Sequence, residues 1–195
     1  MSEARLGSDL SSVIEGPATT TGVTPPALTP VRLTKQQWPL QRDCSRFYGN
    51  PGETGWLHNY TTSVVVPWQM FMGSMPIDHI LIHKRCAPSL ERVLAYTWDR
   101  CGRDQDKVHS LHFDRYDGSY NFRPMRGGAS LSMHAYAVAI DWDAAANAHH
   151  SQTHFFTKDT ILIDAFLQEG WEWGGSWGGG SIDAMHVQAA HVHGG

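Results

Sequence analysis

Apolar residues recur along the chain at spacings that predict most of its elements from residue 31 onward. Short runs with strand character are predicted at residues 63–66, 77–83, 108–113, 120–122, 137–142 and 185–188. Helical spacing follows Pro88, which suits the first position of a helix, and this segment ends before Gly102. A second helix is predicted over residues 160–168, capped by Asp159 and stopped by Gly170.

Strands and helices in this arrangement predict an α+β fold, in which helices pack on a small antiparallel sheet whose central strands carry the functional residues. A chain of 195 residues, 41% of them hydrophobic, has room for one globular domain with a buried core. We assign that domain to residues 31–190 and expect residues 191–195 to be a C-terminal tail. Residues 1–30 are rich in Ser, Thr, Gly and Pro, which predicts a flexible tail or linker, with a short docking segment as the alternative.

Charge and hydropathy argue against two classes of partner. The net charge is -4 and the Lys and Arg residues are scattered, so the chain lacks the basic patch that nucleic acid needs. It has no run of about 18 apolar residues, so we expect no membrane insertion. The first thirty residues do not show the basic start and apolar core of a secretion signal, so we expect synthesis in the cytoplasm without an export signal of its own.

Three cysteines allow at most one disulfide: Cys44, Cys86 and Cys101. Cys86 and Cys101 flank the first predicted helix, whose rise would hold them roughly 20 Å apart, beyond disulfide reach. We therefore expect reduced thiols.

Two histidines and one aspartate are the strongest candidates for chemistry. His134 and Asp141 lie in one segment, and His186 follows some distance later. Two imidazoles and one carboxylate are a typical ligand set of a catalytic zinc site, which leaves one position open for water. Residues seven apart in a regular strand point to opposite faces, so His134 and Asp141 can share an ion only if the chain bends between them. The small residues before Asp141 permit that bend.

Asp183 is a candidate general base. Its offset of three residues from His186 predicts a turn at Asp183 before the last strand. A carboxylate near the ion but not bound to it can take a proton from water that the metal has made more acidic. Glu172 is a second candidate for this role.

Residues 170–180 combine three tryptophans with six glycines. Glycines allow the backbone to approach a ligand, and tryptophans supply broad walls with a polar edge. We interpret the segment as one wall of a substrate cleft, with Trp173 and Trp177 as substrate-binding residues. The alternative is a packed aromatic corner that positions His186.

Four pieces of the chain occur in the order found in one family. They are the segment Arg123-Pro-Met-Arg126-Gly-Gly and residues 132–141, 170–177 and 183–186. On these motifs the chain resembles the zinc D-alanyl-D-alanine carboxypeptidases, a family that includes VanY-type carboxypeptidases and the L-alanyl-D-glutamate peptidases of phage endolysins. The resemblance covers residues 34–188 and implies an α+β fold of the hedgehog/DD-peptidase type.

The resemblance also implies roles for individual residues. One zinc ion per chain would be held by His134, Asp141 and His186. Asp183 would be the general base, and Arg123 would bind the substrate carbonyl and the developing oxyanion. Arg126 is the alternative to Arg123 or a further substrate-binding residue. Ser132 would line the site, although its hydroxyl could instead bond the backbone of the bend.

Two positions depart from the family pattern. Ala137 stands where the family usually has Gly, which restricts the backbone at the bend. His186-Val187-Gln188 stands where the family usually has His-Phe-Glu or similar, which alters an expected contact to a metal ligand. Neither change removes a ligand.

The resemblance implies that the substrate is a peptidoglycan stem peptide. The missing export signal favours a phage or prophage endolysin that cuts between L-alanine and D-glutamate, with a D-alanyl-D-alanine carboxypeptidase as the alternative. A non-catalytic zinc protein that binds the cell wall or belongs to a virion is the alternative of another class. We expect a monomer that acts on the cell wall or in the periplasm, with a holin or other release factor as a candidate partner.

Other histidines are weaker candidates. Those expected to be solvated, with at most opportunistic metal binding, are His149, His150, His191 and His193. Those expected to face a sheet edge or solvent from predicted strands are His79, His83, His109 and His112.

Overall fold

A computed structural model describes residues 31–178 and 180–193 of the chain. The predicted N-terminal tail at residues 1–30 lies outside the described residues, as do the last two residues of the predicted C-terminal tail. None of the helices in the described ranges has both the length and the apolar character needed to cross a bilayer.

Helices and strands alternate irregularly along the described residues. The helices are α1 (Cys44–Tyr48), α2 (Trp56–Tyr60), α3 (Ala87–Arg100), α4 (Gln105–Ser110) and α5 (Ile161–Gln168). The strands are β1 (Thr61–Met72), β2 (Met75–His83), β3 (Tyr116–Gly118), β4 (Ala139–Trp142), β5 (Glu172–Trp173) and β6 (His186–Gln188). Short 3-10 helices span Gln41–Asp43, Met133–Tyr136 and Gly174–Ser176.

Two antiparallel sheets organise the fold. Strands β1 and β2 form a hairpin, and a four-stranded sheet has the order β3-β4-β6-β5. Helix α3 packs against β1 and α5, and α5 packs against β5. The predicted α+β fold with helices on a small antiparallel sheet is confirmed, and its two central strands are β4 and β6.

The first strand is longer than the predicted residues 63–66. Its alternation buries Val64 and Val66 and leaves Val65 75% exposed. Pro67 does not end the strand, because the register shifts between Val65 and Met70 and the missing N–H falls at this irregularity. Helix α3 matches its prediction, with Pro88 in the first turn.

Two predicted strands are wrong. Residues 105–110 form helix α4, because the Asp104 side chain accepts hydrogen bonds from the backbone N–H groups of Asp106 and Lys107 and so caps a helix. Residues 120–122 form no strand, and β3 lies earlier at Tyr116–Gly118. Tyr120 packs partly against the core from a loop, whereas Phe122 is 52% exposed, so the apolar alternation there marks no strand.

Helix α5 ends as predicted but begins differently. Its N-cap residue is Thr160, without a side-chain cap bond, so the predicted cap at Asp159 is wrong. Gly170 follows the helix with a φ of 83°, and a Cβ there would lie 2.3 Å from the Gln36 carbonyl oxygen. Only glycine fits both the conformation and the space. The three cysteines are buried and free, as expected.

The four histidines predicted on strands differ in their surroundings. His79 is exposed on β2, as predicted, whereas His83 is buried and its predicted exposure is wrong. The His83 Nε2 lies 3.1 Å from the Tyr48 carbonyl oxygen, and its Nδ1 accepts a hydrogen bond from the Arg85 backbone N–H. The neutral ring is therefore fully satisfied, which explains its place in the core.

Two further histidines pair with buried carboxylates away from any strand. His109 on α4 is largely exposed, and its Nδ1 lies 2.6 Å from Asp114. The His112 Nδ1 lies 2.6 Å from Asp143. Both rings hold aspartates in place at the edge of the core.

A buried carboxylate ties the N-terminal segment to two helices. Glu169 is fully buried at the end of α5. It accepts hydrogen bonds from the Thr34 backbone N–H at 2.7 Å, the Ser89 hydroxyl at 2.8 Å and two nitrogens of Arg92 at 2.8 and 2.7 Å. Four donors satisfy both oxygens, so the charge is compensated despite its burial.

We predict that Glu169→Gln destabilises the fold by about 3 kcal/mol, because it leaves the Arg92 charge without its partner and places an amide N–H against donors. Urea denaturation measures this loss. The matched control is Asp99→Asn, which breaks the more exposed Asp99–Arg103 pair and should cost below about 1 kcal/mol. Equal losses in the two variants would contradict an anchoring role for Glu169.

We also predict that acid destabilises the fold through His83. Burial lowers the pKa of His83 to about 4, from 6.5 in the unfolded chain. The unfolded state therefore binds more protons between these values, and stability falls as the pH drops through this window, by about 2–3 kcal/mol. Unfolding free energies measured from pH 7 to 4 should show a shallower slope for His83→Gln, and parallel slopes would refute the assignment.

Candidate active site

The register of the central strands brings Asp141 and His186 together. Strand β4 pairs with β6 so that these two residues are direct partners. Direct partners in an antiparallel pair project from the same face with Cβ atoms about 5 Å apart. The Asp141 Oδ1 lies 2.9 Å from the His186 Nδ1.

His134 reaches the same point from a 3-10 helix. The Ser132 hydroxyl accepts a hydrogen bond from the His134 backbone N–H and caps this helix. The helix ends at Ala137, which is left-handed with φ 51° and ψ 44°. This reversal is the bend that the sequence predicted, and it falls where the family pattern has glycine. The chain then enters β4 with Asp141 facing the His134 ring.

Three potential ligand atoms converge in a small triangle. The His134 Nε2 lies 3.2 Å from the His186 Nδ1 and 3.2 Å from the Asp141 Oδ2. Zinc about 2.0–2.1 Å from each of three tetrahedral ligands would separate them by roughly 3.3–3.4 Å. The triangle is therefore close to the size that a zinc ion requires, and these three residues form the one group of potential metal ligands found in the described residues.

Hydrogen bonds on the outer side of the rings set their tautomers. The His134 Nδ1 lies 3.2 Å from the Ser119 carbonyl oxygen and donates to it. The His186 Nε2 lies 3.0 Å from the Gln188 Oε1, and the Gln188 amide nitrogen donates to the Ala190 carbonyl oxygen. Because these oxygen acceptors fix the N–H on the outer nitrogen of each neutral ring, the nitrogens that face the triangle, His134 Nε2 and His186 Nδ1, each keep a lone pair.

Two lone pairs and a carboxylate then face one another with no donor between them. Such an arrangement is stable only with a cation or a proton at its centre. Burial alone would lower the pKa of His186, but the hydrogen bond and the charge of Asp141 outweigh it and raise that pKa. When protons rather than a cation occupy the centre, burial raises the pKa of Asp141, but hydrogen bonds from the protonated imidazoles outweigh it and hold the pKa well below its usual range. The donor set therefore fits a divalent cation that competes with the proton.

Asp183 lies beside this triangle at the start of a turn, as predicted. The His186 N–H donates to the Asp183 carbonyl oxygen at 3.1 Å, and the Asp183 N–H donates to the Gly174 carbonyl oxygen at 3.0 Å. A Cβ at Gly174 would lie 2.4 Å from the Asp183 carbonyl oxygen, so this close approach requires glycine. Backbone contacts on both sides therefore set the place of Asp183.

The Asp183 carboxylate has the properties of a base. Its Oδ1 is buried and has no hydrogen-bond partner among the described residues. Burial raises the pKa of Asp183 above its usual value, and the nearby charge of Asp141 adds to this increase while His186 opposes it. A raised pKa brings a carboxylate closer to the range in which it can accept and return a proton.

A cavity of about 690 Å³ opens over these groups. Its lining includes Arg123, Arg126 and Ser132. Residues 123–132 form a loop closed by the Ser132 N–H, which donates to the Arg123 carbonyl oxygen at 3.0 Å. The Arg123 guanidinium donates to the Pro124 carbonyl oxygen. Both arginines thus reach the cleft on one loop, and Ser132 joins that loop to His134.

The two predicted wall tryptophans occupy different places. Trp177 lines the cavity, and its ring centroid lies 5.5 Å from that of His186. Its indole N–H donates to Glu172 at 2.5 Å, while the other Glu172 oxygen accepts from the Val192 N–H at 2.9 Å. Glu172 therefore holds Trp177 and the chain end rather than acting beside the triangle.

Trp173 is buried behind the wall and is absent from the cavity lining. Its indole N–H donates to the Ala184 carbonyl oxygen at 2.8 Å. It supports the turn that carries Asp183, which matches the packed corner considered as the alternative and not the predicted contact with substrate.

His149 is the residue that the sequence argument missed. It was expected to be solvated, but it lines the cavity with its Nδ1 3.2 Å from the Asp183 Oδ2. His150 and His193 line the cavity as well, and His191 lies 3.3 Å from Glu172. No sequence spacing links His149 to Asp183, because tertiary contacts alone bring them together. The contact of Gln188 with His186, in contrast, could be predicted from the sequence, because the two residues lie two positions apart on the same face of a strand.

Comparison with known proteins supports one family. Residues 126–189 match a family model described as D-alanyl-D-alanine carboxypeptidase. The matched segment contains the triangle and Asp183 and leaves Arg123 outside. Comparison with curated proteins and with solved structures gives no significant match. The match covers about a third of the chain, confirms the resemblance carried by the motifs and supports a metallopeptidase similar to the D-alanyl-D-alanine carboxypeptidases.

Proposed function

We propose that the protein is a zinc-dependent peptidase that hydrolyses the L-alanyl-D-glutamate bond of the peptidoglycan stem peptide, in the manner of a phage or prophage endolysin. The observation that carries the proposal is the triangle of His134, Asp141 and His186, with the Asp183 carboxylate beside it in an open cleft. A metal on three protein ligands with an adjacent base is the arrangement of a hydrolytic site.

The residues of this chain divide the reaction between them. Zinc held by the triangle would supply a Lewis acid that polarises a carbonyl group and lowers the pKa of water. Asp183 accepts the proton that water loses as its oxygen bonds to the scissile carbon. The same proton passes to the leaving amine as the C–N bond breaks, so one water is consumed and Asp183 is regenerated.

Arg123 stabilises the charge that develops on the carbonyl oxygen. Its side chain lines the cavity, and its one hydrogen bond to the described residues goes to the neighbouring Pro124 carbonyl. The remaining N–H donors are available for an oxyanion. Arg126 on the same loop supplies a second guanidinium, which suits a substrate carboxylate.

The cleft supports an endopeptidase. It extends from the arginine loop to Trp177 and His193, with the triangle among its lining residues, and its volume of about 690 Å³ favours a substrate longer than a terminal dipeptide. The D-glutamate residue would place its carboxylate near one arginine while the other faces the carbonyl. A D-alanyl-D-alanine carboxypeptidase is the second candidate, because the matching family model carries that description.

The cellular setting follows from this substrate. We propose that the protein acts as a monomer on the cell wall or in the periplasm. A holin or another release factor would be its partner if it is made in the cytoplasm of a phage-infected cell. The peptidoglycan stem peptide is the ligand that we propose for the cleft.

We predict that the zinc-loaded protein cleaves purified muropeptides between L-alanine and D-glutamate. Mass spectrometry of the products identifies the bond. Asp183→Ala should lower the rate by about 10²–10⁴-fold, because the water proton loses its acceptor, while the zinc content stays at one per chain.

Each other product pattern has a distinct meaning. Release of a single alanine from a pentapeptide stem would instead establish the carboxypeptidase. Zinc binding without hydrolysis of any muropeptide would favour the non-catalytic wall-binding alternative. Full activity in Asp183→Ala would remove Asp183 from its role.

We predict that Gln188→Leu weakens zinc binding about 10–100-fold, because the His186 Nε2 loses the acceptor that fixes its tautomer. Competition with a chromogenic chelator measures this affinity without any assay of activity. Gln188→Glu is the matched control, since its carboxylate still accepts the bond and should retain parental affinity. Equal affinity of the leucine variant and the parent would show that Gln188 does not orient His186.

A further inference from the structure

We propose that His149 is a positioning residue for Asp183, which it holds in the orientation needed to accept a proton. The proposal rests on the proposed function, because it concerns the base of that reaction. It is carried by the contact between the two side chains and by the backbone that brings them together.

A tight turn presents His149. The Ser151 N–H donates to the Ala148 carbonyl oxygen at 3.0 Å, so His149 and His150 are the central residues of a β-turn. His150 has a φ of 65°, the left-handed value that the third residue of a type II turn requires. The turn therefore fixes the direction in which His149 leaves the backbone.

The same turn is bonded to the segment that leads into Asp183. The His150 N–H donates to the Ile182 carbonyl oxygen at 2.8 Å, one residue before Asp183. The His150 imidazole bonds the Gly180 carbonyl oxygen, and its ring lies 3.7 Å from the His149 ring between centroids. Two bonds from His150 thus hold the neighbouring imidazole against the base.

The two functional groups meet at the edge of the cavity. The His149 Nδ1 lies 3.2 Å from the Asp183 Oδ2, and the side chains are only 26% and 16% exposed. Neither the His149 Nδ1 nor the Asp183 Oδ1 has a hydrogen-bond partner in the described part of the chain. The contact between the two side chains is thus at ion-pair distance without hydrogen-bond geometry, and no hydrogen bond to another described residue competes for the His149 Nδ1.

This contact restricts how the carboxylate can turn. Asp183 lies at the start of the turn that leads into β6. Its backbone N–H and carbonyl groups are both hydrogen-bonded, so its backbone position is fixed. Its carboxylate plane has no other side-chain partner in the described ranges, and it can rotate if the imidazole is removed. With Oδ2 facing the His149 imidazole, the carboxylate keeps one orientation relative to the triangle. His149 itself gains and loses no proton in this step.

Removal of the His149 imidazole should lower kcat without changing KM, zinc content or thermal stability. We expect His149→Ala to reduce kcat on muropeptides about 10–100-fold with little change in KM, since a misaligned base slows the chemical step without removing a substrate contact. Zinc content and thermal stability should match the parent. His149→Asn places an amide N–H at the position of Nδ1 and should restore kcat to within about threefold of the parent.

A matched control comes from another histidine-aspartate pair. His109→Ala removes an imidazole whose Nδ1 lies 2.6 Å from the buried Asp114, on helix α4 and outside the cavity lining. It should leave kcat unchanged. In an Asp183→Asn background, His149→Ala should cause no further loss, because its effect passes through the carboxylate.

The outcomes separate this proposal from the function on which it rests. A parent that cleaves muropeptides together with a fully active His149→Ala variant overturns the role of His149 alone. A further loss in the Asp183→Asn background, or a loss that the asparagine variant does not rescue, also overturns it. A zinc-loaded parent that cleaves no muropeptide overturns the proposed function and this role with it.

Discussion

The register of β4 against β6 is the constraint on which the site depends. Asp141 stands opposite His186 in this register, so both side chains leave the same face of the sheet. A slip of one residue would turn one of them into the core and separate the ligands. Packing specifies the register, because Ile140 and Val187, the next pair along, are fully buried on the other face. The hydrophobic core thus sets the geometry of a polar centre.

Polar contacts behind the ligands make the centre a site for a cation and not simply a cluster of histidines. Ser119 and Gln188 each accept a bond from the outer nitrogen of a ring, so both inner nitrogens present lone pairs. The neutral amide of Gln188 does this without adding a second negative charge behind His186. The charge of a bound divalent ion is then offset by the single carboxylate of Asp141.

The sequence predicts elements whose signals are local and misses contacts that depend on the tertiary fold. The bend before Asp141 and the turn at Asp183 followed from side-chain parity, since residues an odd number of positions apart on a regular strand point to opposite faces and cannot meet at one site. Helix α4 was missed because its apolar residues alternate like a strand, although Asp104 supplied a cap signal that outweighs that pattern. His149 had no local signal, because a turn bonded to residue 182 brings it to the base.

The two aspartates of the site show how surroundings assign roles to identical groups. Burial raises the pKa of both, but in the metal-free site hydrogen bonds from the two protonated imidazoles that face Asp141 reverse that effect and keep this carboxylate ionised. Asp183 lacks those bonds, and the charge of Asp141 raises its pKa further. Oppositely shifted carboxylates in one cleft are typical of a division between a fixed charge and a group that exchanges protons. Asp141 is the one of the two aspartates that stands opposite a histidine on the sheet. The register that builds the metal centre therefore also leaves Asp183 as the base.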